Sequence, residues 1–145
     1  MEQPSNAPLA KKLGVKPGDT LWLRHAPSNF ALEVPAGVTI RRRASASASA
    51  DVVVAFFTRA AALASEIDAL SVAIFPSSSL WVAWPKRASR VATDLSDNAV
   101  RDLALPFGLV DNKVCAIDET WSGLRLVWRV SQRSSAPTSA LLDTP

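Results

Sequence analysis

"DVVVAFFTRAAALASEIDALSVAIFP", residues 51–76, changes its hydrophobic period halfway along. Val52 to Phe57 is an unbroken run of β-branched, small and aromatic residues. A strand buried on both faces needs such a run, because neither side of it meets water. From Arg59 onward the spacing becomes helical: Leu63, Ile67, Leu70 and Ile74 recur at every third or fourth position. Pro76 ends the pattern, since proline has no N–H for the next turn. A doubly buried strand followed at once by a helix is one half of a βαβ unit. It requires a parallel strand next, reached by a right-handed crossover. "SLWVAWP", residues 79–85, is that strand.

Downstream, Ser96 is placed to cap "DNAVRDLALPFG", in which Val100, Leu103 and Phe107 share a stripe. Asp97 favours the N-terminus of that helix through its dipole, and Pro106 should cut its last turn short. "LVDNKVCAID" and "GLRLVWRV" then read as two strands joined through the hexad "DETWSG", residues 118–123. The link is too short for a crossover, so this pair must run antiparallel or flank a slot. Gly123 is expected to supply a turn conformation that other residues resist.

Upstream, "PLAKKLG" is a short helix stopped at Gly14 by a left-handed cap, and "KPGD" is a turn around Gly18. "TLWLRHA" and "VTIRRR" are strands. "PSNFALEVPAG" between them offers a helix of one or two turns, capped by Ser28 or Asn29. The Ala/Ser stretch at 44–50 has no apolar face and reads as a flexible connector. Residues 1–7 and 131–145 read as flexible termini flanking one domain over 8–130.

The order of elements implies a single α/β domain of the Rossmann-like, methyltransferase-like kind. The expected form is a mostly parallel sheet of about six strands with an antiparallel C-terminal strand, in three layers, α/β/α. At 145 residues, 48% hydrophobic and 20% charged, the chain is globular and long enough to bury a core. A net charge of +3 is too small to imply nucleic acid by itself. The single cysteine, Cys115, rules out an internal disulfide, and no His/Cys cluster offers a metal site. Cys115 is read as a buried small hydrophobe rather than a nucleophile. No signal-peptide core and no transmembrane run is present, so the chain is expected to be soluble and cytoplasmic.

In this fold a nucleotide cofactor sits at the carboxyl end of the first strand. Glycines let main chain approach it there, and an acid after the second strand holds the ribose. Here the first strand runs into "RHAPSNFALE", which has no glycine, and Pro27 and Phe30 add bulk. The second strand ends in Arg41, Arg42 and Arg43 where the acid belongs. No cofactor is therefore expected. The carboxyl ends of the strands still gather a polar rim: His25, Arg59, Trp84, Lys86, Asp118, Glu119 and Trp121.

Each rim residue also has an ordinary reading. His25 is the only histidine and the one unperturbed group titrating near neutrality, but a lone loop histidine is usually just exposed. Asp118 and Glu119, as strand neighbours, point to opposite faces and cannot act as a dyad; one of them is expected to pair with Lys86 or Arg125 and pin the hairpin. Trp84 and Trp121 can stack a flat ligand, yet are better read as covers for the sheet end. No serine lies in a nucleophile-elbow pattern. "PKRASR" and "IRRR" would form a phosphate patch only if they face the same side.

"DVVVAFFTRAAAL", "LWVAWPKRAS", "ATDLSDNAVRDLAL" and "GLVDNKVCAIDETWSGLRLVWR" together resemble a bacterial family, domain of unknown function 3052. The resemblance spans roughly residues 8–130 and is strongest from Asp51 onward. It implies a small cytoplasmic α/β protein and carries no activity with it. The Ala/Ser connector and Pro106 depart from the family pattern; neither touches the rim. The function expected is a non-catalytic module that binds an unknown small ligand or protein partner. A remodelled S-adenosylmethionine-dependent methyltransferase-like enzyme is the alternative, and a nucleic-acid-binding module the second.

Overall fold

The computed structural model describes residues 8–42 and 49–133. The segments 1–7 and 134–145 and most of the Ala/Ser connector lie outside the described residues. The chain forms a mixed α/β fold around a six-stranded sheet. In chain order the elements are α1 (Leu9–Leu13), β1 (Thr20–Arg24), β2 (Thr39–Arg41), β3 (Val52–Phe56), α2 (Ala60–Ala73), β4 (Ser79–Pro85), α3 (Asp97–Ala104), β5 (Leu109–Ala116) and β6 (Trp121–Trp128). The strands lie in the order β2-β1-β3-β4-β6-β5. The first four pair in parallel. β6 runs antiparallel to β4 on one side and to β5 on the other, so it alone opposes the direction of the rest.

β3 and β4 are buried at every position, as their apolar runs require. On one face, Leu63, Ile67 and Leu70 of α2 and Val100 of α3 pack on Val53, Ala55, Leu80 and Val82. On the other, Ala10 and Leu13 of α1 pack with Val52, Val54, Trp81 and Ile117. α1 ends as its sequence dictates. Gly14 takes φ 86°, and Val15 N–H returns to the Ala10 carbonyl at 2.9 Å, the paired-bond stop that only a left-handed residue allows. Ser96 caps α3, its Oγ accepting from Ala99 N–H at 3.1 Å. Pro106 closes that helix in a 3-10 turn, Leu105–Phe107. The described end of the C-terminal tail holds another 3-10 turn, Val130–Gln132.

Three local expectations are corrected. No helix forms between β1 and β2. Ser28 and Asn29 form only a turn, with Phe30 N–H bonded to the Pro27 carbonyl at 3.0 Å. Phe30, Leu32 and Val34 then turn inward while Ala31 and Glu33 face solvent. That is the two-residue period of extended chain, and it buries every other side chain where a helix would bury every third or fourth. Gly123 is not a turn residue. It sits within β6 opposite Cys115 and has no positive φ. Its lack of a side chain is a packing requirement: a Cβ there would lie 2.7 Å from Ile117 Cδ1 and 3.1 Å from Trp81 Cε3. Cys115 is half-buried rather than enclosed, because β5 is an edge strand. No helix among the described residues is long and apolar enough to cross a membrane.

Candidate functional site

The carboxyl ends of β1, β3, β4 and β5 lie along one edge of the sheet, and the rim residues follow them there. His25 leaves β1 with φ 60°, a left-handed conformation costly for a residue with a Cβ. Its side chain is 42% exposed, and Nε2–H donates to Glu66 Oε2 at 2.7 Å. The ring stands edge-on to Phe57 at 5.4 Å. Arg24 reaches the same carboxylate from β1, Nε donating to Oε1 at 3.0 Å and Nη2 to Oε2 at 3.3 Å. Burial pushes the Glu66 carboxyl up, but hydrogen bonds from Arg24 and His25, and then their charges, outweigh it and hold its pKa below the usual value. The result is an ionised acceptor that fixes one imidazole nitrogen. Among the described residues no hydroxyl or thiol bonds to that ring.

Glu66 was missed by sequence reasoning. It immediately precedes the buried Ile67 on α2, and nothing local tells which flank of that helix faces β1. Thr93 and Asp94 also serve the scaffold. Thr93 Oγ1 donates to the Thr58 carbonyl at 2.6 Å, and Asp94 Oδ1 accepts from Ala60 N–H at 2.7 Å, capping α2. Arg59 is exposed immediately before that helix.

The turn from β5 to β6 is built on Asp118. Its Oδ1 accepts from both Thr120 N–H and Trp121 N–H at 2.8 Å. The strand therefore breaks at the acid pair, and the hairpin is held by backbone acceptance. No ion pair joins Asp118 or Glu119 to Lys86 or Arg125 among the described residues, contrary to expectation. Lys86 meets the turn through its main chain, N–H to the Thr120 carbonyl at 2.7 Å.

The two rim tryptophans sit on opposite faces of the sheet. Trp84 is 8% exposed on the α2 side. Trp121 is half-buried on the other, edge-on to Phe56 at 5.0 Å. They cannot clamp one ligand together; each covers the sheet end. Phe56 in turn takes Phe30 edge-on at 5.0 Å, and Phe30 is only 7% exposed. Phe30, Phe56 and Trp121 thus form a continuous aromatic row at the carboxyl edge of the sheet.

Arg41 ends β2 three strand spacings from β4, which carries Lys86 and Arg87 at its end. At about 5 Å per spacing, the two basic runs stand roughly 15 Å apart. No group of three or more His, Cys, Asp or Glu among the described residues is arranged to hold a metal. A cleft of ≈ 390 Å³ lies elsewhere, between α1 and the segment 33–35, lined by Ala10, Lys11, Val15, Glu33 and Pro35. Its walls come from the segments that precede β1 and β2, away from the rim.

No family model matches the chain, and no curated protein matches it. Among solved structures it is similar to the antibiotic-resistance methyltransferase Kmr, with 14% identity and a TM-score of 0.41. That match covers 63% of this chain and spans 62% of the other protein's length.

Proposed function

We propose that this chain is a non-catalytic binding module of the cytoplasm, on a methyltransferase-like, three-layer Rossmann scaffold that has filled its cofactor place with its own side chains. The resemblance to domain of unknown function 3052 belongs to the same proposal and rests on the strings quoted above. One observation carries the reading: Phe30, buried at 7% exposure, packs on Phe56 beside the end of β1, in a loop with no glycine from His25 to Ala36. An adenosyl group needs bare main chain there, and a buried ring with its Cβ denies it. Arg41, where a ribose-binding acid would stand, supports the same reading. The exposed polar rim around His25 and Lys86 is the surface left for a ligand or partner.

The methyltransferase-like enzyme remains the second reading, because β6 lies reversed between two strands parallel to each other. Calorimetry with S-adenosylmethionine separates the two. The expected trace is no binding in the micromolar range; a micromolar isotherm overturns the proposal.

A further inference from the structure

On the α2 face, where β1 and β2 lie side by side, two buried hydrogen-bond donors have no acceptor. Trp22 is 3% exposed. Among the described residues its indole Nε1–H has no partner, and neither does Nε–H of Arg41. The two residues are register partners across the β1–β2 pair. Their side chains therefore leave the same face about 5 Å apart. This chain satisfies buried indoles elsewhere: Trp81 donates to the Leu13 carbonyl at 3.0 Å and Trp128 to the Ser71 carbonyl at 2.9 Å. Buried donors are almost always paired, so two orphans side by side mark a missing acceptor.

The surroundings favour one that is negatively charged. Arg24, two residues beyond Trp22 on the same face, lays its guanidinium 5.9 Å from the centre of the Trp22 ring. Its charge is met by Glu66. Arg41 has no carboxylate partner among the described residues; its Nη2 donates to the Ser49 carbonyl at 3.0 Å. Arg41 is half-buried, so a water molecule can accept from both orphans, whereas an oxyanion would also pair with the guanidinium charge.

We propose that Trp22 and Arg41 form a binding site for a single oxyanion group, a carboxylate or a phosphate, with one oxygen accepting from each Nε donor. The site lies on the opposite face of the sheet from Phe30 and Trp121. It goes beyond the reading above and fails independently of it: S-adenosylmethionine calorimetry tests that one, anion titration this one.

The test is titration of the nitrogen-15-labelled full chain with inorganic phosphate and, separately, with acetate at constant ionic strength. The Trp22 indole and Arg41 Nε–H resonances are followed, assigned through W22F and R41K. Saturable shifts of both signals at millimolar or lower concentration are expected, with the indoles of Trp81, Trp84, Trp121 and Trp128 unmoved. R41Q should weaken binding by about tenfold or more, because it removes a charge-assisted hydrogen bond. Saturation by phosphate alone assigns a phosphoryl ligand, and by acetate alone a carboxylate; both support the site. Should R41Q fail to fold, W22F keeps an aromatic side chain, removes the donor, and must still weaken anion binding. Absence of a saturable shift with either anion, or unchanged affinity in the variants, overturns the proposal and leaves a water molecule as the acceptor.

Discussion

Replacing Gly123 by alanine tests whether this glycine is needed for its conformation or for space. The backbone at 123 is ordinary strand, so alanine is not opposed there by φ. Its methyl would lie 2.7 Å from Ile117 Cδ1, 3.1 Å from Ile117 Cγ1 and 3.1 Å from Trp81 Cε3. Ile117 can swing its terminal methyl only within a site where it is 5% exposed. Trp81 is fully buried and tied by its indole to the Leu13 carbonyl, so it can give little. Overpacking of this kind costs about 1–3 kcal/mol. The gain from one buried methyl and a less flexible unfolded chain offsets about 1 kcal/mol of it. A net loss of about 1 kcal/mol follows, a fall in Tm of roughly 3 °C for a chain of this length.

Ile117→Val deletes the atom in the shortest contact and by itself costs about 1 kcal/mol. In that background Gly123→Ala should be close to neutral, a coupling of about 1 kcal/mol between the two sites. Urea unfolding of the four proteins measures it, with unchanged denaturant slopes certifying a common unfolded state. Strictly additive costs would refute the steric account, and would return Gly123 to a conformational role.

Asp118→Ala should cost about 1 kcal/mol in the same assay, since it gives up two turn-forming bonds to Oδ1 and leaves their N–H groups to water, while Asp118→Asn retains most of the stability. The Glu66 carboxyl is held below its unperturbed value of 4.5. Its contribution to stability is therefore fully present above that value and lost as pH falls through the folded pKa, so the gap between wild type and Glu66→Gln should shrink on acidification. A gap that widens in acid contradicts that sign. Burial pushes the Cys115 thiol up, so its alkylation at neutral pH should lag that of a free thiol and recover on unfolding in urea. Equal rates in the folded and unfolded chain would show that the edge strand gives no protection.

Much of the scaffold can be read from short windows. β3 and α2 announce themselves because the change from a continuous apolar run to a three-four spacing is local information. Gly14 and Ser96 work the same way, each needing only its own turn. The segment after β1 misleads because Ser28 and Asn29 look like helix caps, while the decisive feature is the alternation of Phe30, Leu32 and Val34 beneath two prolines. Gly123 misleads because a glycine beside a turn and a glycine under a tryptophan look alike until the partner strand is known. The acid pair misleads for a related reason: Asp118 spends its oxygen on its own loop, which ends the strand there. The rim was legible in part. His25, Lys86 and Trp121 do reach one edge, but Glu66 and the opposed faces of Trp84 and Trp121 depend on how distant elements pack and register.

The position of β6 has a consequence for biosynthesis. Among the described residues it is the last strand in chain order, yet it occupies an interior lane of the sheet, and there β5 is hydrogen-bonded to the sheet only through it. While the ribosome is still adding residues beyond Ala116, β4 stands with one edge of unpaired N–H and C=O groups open and β5 has no strand to join. A message truncated within this final segment would release a product with a sticky, unpaired margin, prone to self-association. The eight-residue β6 thus acts as a keystone, and its synthesis and the closing of the β4 edge become a single event.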